Sequence, residues 1–63
     1  MIDNAETATT SRITLDYEGV KSKDVAVHMK VSPSYLSELT NDRRDWNHDL
    51  IERFDKAVEA LKK

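Results

Sequence analysis

Apolar residues between positions 22 and 41 recur at intervals of three and four residues, first in one short run and, after a break, in a second. This spacing predicts two short helices that pack their apolar sides together across a sharp turn. The small side chain of Ala26 allows the two helices to cross closely. The residues expected in this small core are Val25, Ala26, Met29, Val31, Leu36 and Leu39.

Polar residues mark where these two helices begin and end. Ser22 is predicted to cap the first helix. Ser32 is predicted to cap the second, with Pro33 in the first helical position, where its missing N–H costs nothing. The second helix should stop at Asn41–Asp42, because both residues tolerate left-handed conformations. We therefore expect a helix-turn-helix unit over residues 22–41.

A longer amphipathic helix is predicted to begin after Asn47, its cap, and to continue to about Lys62. Opposite charges four residues apart on its outer side are expected to favour solubility only. Trp46 is interpreted as a core anchor at the start of this helix. The apolar positions recur every three or four residues and are Trp46, Leu50, Phe54, Ala57 or Val58, and Leu61.

The segment 10–17 fits two structures. Ile13 and Tyr17 are four residues apart, as in a helix, but Ile13, Leu15 and Tyr17 also alternate, as in a strand. We predict the helix, because the two-helix unit needs a further helix to cover its core and Gly19 is well placed to terminate one.

The expected fold is an all-α domain of four helices, with five as the alternative. Its 63 residues make a single domain with a small core. Residues 1–9 are small and polar and are predicted to be a flexible arm, and residues 10–63 are predicted to be the helix-turn-helix domain.

Composition excludes several classes of protein. The chain has no cysteine, which excludes disulfides and thiolate metal sites and fits a cytoplasmic protein. It has no apolar run of the roughly 20 residues that cross a bilayer, and its first ten residues do not resemble a secretory signal. The net charge of −2 argues against a strongly basic nucleic-acid binder. The positive charges nevertheless cluster around the two-helix unit, at Lys21, Lys23, Lys30, Arg43 and Arg44.

Catalysis finds little support in the sequence. A single glycine leaves no glycine-rich phosphate loop, and there is no cysteine nucleophile. His28 and His48 are predicted on different helices without a partner at metal-ligand spacing. We expect no enzyme activity, no cofactor, no metal and no small-molecule ligand.

The segment 22–50 resembles the DNA-binding domain of the phage repressor and Cro family, the lambda repressor-like fold. The matching features are the Val25-Ala26 pair, an aliphatic residue at Met29, the "VS" turn, the "SYLS" run and the basic loop Arg43-Arg44. One departure is plain, because this chain has Lys30 where the family usually has glycine. A non-glycine residue in a left-handed helix end costs about 1 kcal/mol.

A helix-turn-helix geometry assigns roles to the outward side of the second helix. With Leu36 and Leu39 facing the core, the residues nearest its amino end enter the major groove deepest. Serine discriminates weakly between bases, whereas a glutamate accepts from the cytosine amino group and is repelled by phosphate. The simpler alternative for these residues is a solvated helix surface. The base-reading candidates are Pro33, Ser34, Ser37 and Glu38.

Other residues are predicted to hold the phosphate backbone. Tyr35 is expected to be half-buried with its hydroxyl available to a phosphate. The resemblance implies further backbone contacts, which set register and affinity without specifying sequence, from Lys23, Ser37, Asn41, Arg43 and Arg44.

The predicted function is a sequence-specific transcription regulator, repressor-like or Cro-like, that occupies a double-stranded DNA operator. One unit reads only a few base pairs, so we expect a homodimer on DNA, with Val58 and Leu61 as the dimer surface unless the core uses them. The alternative is a helical protein-interaction module, such as an antitoxin, that keeps the fold without binding an operator.

Overall fold

The computed structural model describes residues 2–62; Met1 and Lys63, the ends of the predicted arm and domain, lie outside this range. The predicted all-α fold with four helices is confirmed, and the described residues hold no fifth helix. The helices are α1 (Asn4–Glu18), α2 (Ser22–Met29), α3 (Pro33–Thr40) and α4 (His48–Leu61).

The core lies between α2, α3 and α4. Helix α2 packs against both α3 and α4, while α1 packs against α3. Five of the six apolar residues expected in the two-helix core are fully buried, and Val31 in the turn packs against them half-buried. The predicted apolar side of α4 is also confirmed, since Trp46, Leu50, Phe54, Ala57 and Val58 are all buried.

Helix α1 begins earlier than the sequence suggested. The flexible arm predicted over residues 1–9 is wrong from Asn4 onward, because these residues form the first turns of α1. The carboxylate of Asp3 accepts a hydrogen bond from the N–H of Glu6 at 3.1 Å and caps the helix. The side-chain oxygen of Asn4 accepts from the backbone N–H of Trp46 at 2.7 Å. The first bond caps the helix, and the second anchors its amino end to the segment before α4.

The side of α1 that faces the core also differs from the expected one. The helix predicted over residues 10–17 is confirmed, but Ile13 and Tyr17 are 62% and 84% exposed. The buried residues of α1 are Ala8 and Ser11, and Leu15 packs against the core half-buried. The Ser11 hydroxyl donates to the carbonyl of Ala8 at 2.7 Å, which satisfies this polar group inside the protein.

The predicted helix caps are confirmed at two of three positions. Ser32 and Asn47 each accept a hydrogen bond from the backbone N–H three residues later, at 3.1 and 2.8 Å. The cap predicted at Ser22 is wrong. Lys21 occupies the cap position and makes no side-chain capping bond, because α2 already includes Ser22 as its first residue.

Charge pairs cover the outer side of α4, as their spacing predicted. Arg53 contacts Asp49 at 3.0 Å and Lys56 contacts Glu52 at 2.9 Å. The hydrogen bond and positive charge of Lys56 lower the pKa of the Glu52 carboxyl. Because all four side chains are solvent-exposed, these pairs contribute little to stability. Arg53 also donates to the carbonyl of Met29 at 3.3 Å and so links α4 to the end of α2.

The turn between α2 and α3 contains a left-handed residue at Lys30, as the sequence predicted. Lys30 has φ 61°, and the N–H of Val31 donates to the carbonyl of Ala26 at 3.0 Å. This bonding closes the end of α2 in the pattern that glycine usually supports. Gly19, with φ 67°, ends α1 in the same conformation without a side chain to strain.

We expect Lys30→Gly to stabilise the domain. The substitution removes the side chain from a left-handed residue and should raise the free energy of unfolding by about 1 kcal/mol. For a domain of this size the melting temperature should rise by about 4–8 °C. The matched control is Lys23→Gly inside α2, which should lower stability by about 1 kcal/mol. Thermal unfolding followed by circular dichroism measures both, and a lower melting temperature for Lys30→Gly would contradict the prediction.

Candidate nucleic-acid interface

The outward side of α3 is polar because the opposite side supplies the core. Leu36, Leu39 and Thr40 are buried. At 3.6 residues per turn, the side of the helix away from them carries Ser34, Glu38 and Asn41, with Ser37 on one flank and Tyr35 on the other. Pro33, Ser34, Ser37 and Asn41 are exposed, while Glu38 and Tyr35 are half-buried. Ser34, Ser37 and Glu38 therefore lie on the outward polar side with accessible side chains. The prediction that Pro33 lies there too is wrong, because Pro33 is seven residues, two helical turns, before the buried Thr40 and lies on the same side of the helix as Thr40.

The flank that carries Ser37 is partly occupied by hydrogen bonds within α3. The Asn41 amide nitrogen donates to the carbonyl of Ser37 at 2.7 Å and lies 3.4 Å from its hydroxyl oxygen. The Thr40 hydroxyl donates to the same carbonyl at 3.1 Å. The amide nitrogen of Asn41, a residue predicted to contact phosphate, is thus engaged by Ser37 at the helix end.

The other flank carries an ion pair that the sequence analysis did not predict. The Arg44 Nε donates to the Glu38 Oε1 at 3.2 Å, and both side chains keep a little under half of their surface exposed. The guanidinium carbon of Arg44 lies 4.8 Å from the centre of the Tyr35 ring, within range of a cation–π interaction. A candidate base reader and two candidate phosphate contacts are therefore in contact with one another.

The backbone at the end of α3 explains why Arg44 reaches Glu38. Asp42 adopts a left-handed conformation with φ 60°, and the N–H of Arg43 donates to the carbonyl of Glu38 at 2.8 Å. This bond closes the helix end and turns the chain back along α3. The expectation that α3 ends at Asn41–Asp42 is confirmed, with Asp42 as the left-handed residue.

The remaining predicted phosphate contacts lie apart from this cluster. Lys23 is exposed on the first turn of α2, and Arg43 is exposed in the loop after α3. Neither side chain forms an ion pair within residues 2–62. Residues 21–45 carry five Lys or Arg against four Asp or Glu, so the basic character of this part of the surface is modest.

The described part of the chain lacks two other functional features, a metal site and a membrane-spanning helix. No group of three or more His, Asp or Glu side chains there is arranged to hold a metal ion. Across the same residues, every helix is too short or too polar to cross a bilayer.

Comparisons of the chain with family models, with curated proteins and with solved structures found no match. The resemblance to the phage repressor and Cro family therefore stays a prediction that rests on the residues of segment 22–50.

Proposed function

We propose that this chain is a sequence-specific DNA-binding transcription regulator, repressor-like or Cro-like, that places α3 in the major groove of an operator. The observation that carries the proposal is that the two sides of α3 have different environments. Leu36 and Leu39 are fully buried and supply its packing, so its polar side takes no part in the core. A basic loop follows directly at the carboxyl end of that helix.

In this proposal the two parts of the surface act differently. Ser34, Ser37 and Glu38 reach base edges, while Lys23 and Arg43 contact phosphates and set the register of the protein on the duplex. A bound protein blocks or directs transcription by occupying the operator. The regulator acts in the cytoplasm of a bacterium or of a phage-infected cell.

Useful specificity requires two copies of the chain on DNA. Each copy reads only a few base pairs, so a two-fold dimer on half-sites about 34 Å apart supplies the rest. Val58, one of the two residues considered for the dimer surface, is buried in the core, and Leu61 packs against it. Both side chains are thus used within the single chain.

A protein-interaction module, such as an antitoxin, is the second candidate. The observation that favours it is the Glu38 carboxylate, which lies on the polar side of α3 and pairs with Arg44. The net charge of −2 also favours the interaction module. Phosphate repels a carboxylate on the polar side of α3, and it repels a chain with a negative net charge.

Selection of bound duplexes from a random DNA pool, at near-physiological salt, tests the proposal. We expect the purified protein to enrich a palindrome whose half-sites are one helical turn apart. Enrichment of a single short site would support DNA reading by a monomer. If a protein shown to be folded by circular dichroism enriches nothing, DNA reading is wrong and the interaction module is favoured.

A further inference from the structure

Arg44 is held beside α3 instead of extending freely into solvent. Its Nε donates to the carboxylate of Glu38, and its guanidinium lies against the ring of Tyr35. Within residues 2–62 no hydrogen bond engages either of its Nη atoms. The carboxylate and the ring therefore occupy one edge and one face of the guanidinium and leave the two Nη groups open.

The open part of the guanidinium has the geometry that recognises guanine. Two neighbouring N–H groups of a planar guanidinium match the O6 and N7 acceptors of guanine in the major groove, and this is the commonest specific contact between proteins and DNA. A guanidinium held in position by other contacts loses less conformational entropy when it binds. Glu38 and Tyr35 supply such contacts.

The position of the guanidinium along α3 also suits base reading. Arg44 follows the helix in sequence, but the residues it contacts, Tyr35 and Glu38, are the third and sixth of the eight residues of α3. The guanidinium thus lies alongside the helix that enters the groove in the proposed function, and not beyond its carboxyl end.

We infer that Arg44 reads guanine and that Glu38 is the positioning residue that orients it; this inference rests on the proposed DNA-binding function. It assigns Arg44 to a base edge in place of a phosphate, and it assigns Glu38 to the orientation of Arg44 in place of a base edge. The pairing has a second effect, because the Glu38 carboxylate offsets the charge of Arg44 and repels phosphate. The cluster therefore adds specificity for guanine while adding little affinity for DNA of random sequence.

Three substitutions separate the roles of these residues. Arg44→Gln removes the guanidinium, and Arg43→Gln makes the same change at the neighbouring position. Glu38→Gln keeps the shape of the positioning side chain and removes its charge. Each variant is taken through selection from the random DNA pool, and its affinity is then measured for the wild-type site and for that site with the guanine replaced. Circular dichroism confirms that each is folded.

The wild-type protein should select a guanine at one position of each half-site. A good bidentate contact discriminates by about 1–3 kcal/mol, so the wild type should prefer guanine there by roughly 5- to 150-fold. Arg44→Gln should lose most of that preference. Arg43→Gln should keep it and bind every sequence more weakly. If Arg44→Gln binds every DNA sequence more weakly and still selects the same sequence as the wild type, Arg44 contacts phosphate. That result would overturn the inference.

Glu38→Gln tests the positioning role. Its guanine preference should fall, while its affinity for random DNA should rise with a salt slope steeper by about 1, because the freed Arg44 turns to phosphate. In the protein without DNA, the Arg44 Nε–H should exchange faster with solvent than in the wild type. If Glu38→Gln keeps the preference for guanine and instead loses a preference for cytosine, Glu38 reads a base itself. That result would overturn its positioning role.

These outcomes distinguish the inference from the proposed function. If the folded wild type enriches no DNA, the proposed function is wrong and the inference is wrong with it. If the wild type enriches an operator and Arg44→Gln enriches the same one, only the inference is wrong.

Discussion

Trp46→Ala is expected to unfold most of the protein at room temperature. The Trp46 side chain is 4% exposed and packs edge-on against Phe54, with ring centres 5.7 Å apart. Its indole N–H donates to the buried carbonyl of Leu39 at 3.0 Å. Truncation of a buried aromatic residue costs about 3–5 kcal/mol, and here the carbonyl also loses its donor. A core this small supplies about 3–5 kcal/mol in total, so little stability should remain.

The measurement is urea unfolding followed by circular dichroism. Trp46→Phe is the matched control, because it keeps an aromatic ring while it loses the indole N–H and some volume. It should remain folded, with a loss of about 1–2 kcal/mol. The interpretation of Trp46 as a core anchor would be contradicted if Trp46→Ala unfolded at the same urea concentration as the wild type.

Leu36→Ala should have the second largest effect, a loss of about 2–5 kcal/mol in the free energy of unfolding. Leu36 is fully buried in the contact between α2 and α3. Removal of its side chain leaves a cavity in the cluster that also contains Met29 and Leu39, and a domain of this size has little capacity to refill it. The orientation of α3 depends on that contact, so the outward polar side should lose its fixed position as well.

Val27→Ala is the control for Leu36→Ala. Val27 belongs to α2 but is 72% exposed, so its truncation should change stability by no more than about 0.5 kcal/mol. Thermal unfolding of the two variants side by side measures the difference. Equal melting temperatures would mean that the contact between α2 and α3 is not the centre of the core.

The two-helix unit is the part of the fold that the sequence predicted best. Its helices, its turn and five fully buried residues follow from apolar spacing over about twenty positions. The caps at Ser32 and Asn47 and the left-handed Lys30 were also predictable. The caps and the turn depend on contacts within a few residues of one another, which a local pattern records. Apolar spacing also marks the buried side of each helix, although α4, more distant in sequence, helps to cover α2.

The prediction failed where contacts join distant positions. A pattern of small and polar residues suggested an arm over residues 1–9, but Asn4 bonds to Trp46, which is 42 residues away. On α1 the apolar residues Ile13 and Tyr17 are exposed, and the small residues Ala8 and Ser11 are buried. Small side chains can be covered where two helices approach each other, and hydrophobicity alone does not indicate which side of a helix another element will cover.

The candidate interface also has features that the sequence predicted and features that it did not. The polar side of α3 and the basic loop after it were predictable, because apolar spacing decides which residues a short helix buries. The pairing of Arg44 with Glu38 and its position over Tyr35 depend on how the chain folds in three dimensions. These residues are six and nine positions apart, across a helix end. No helical spacing relates them, and the path of the chain through the left-handed Asp42 brings them into contact.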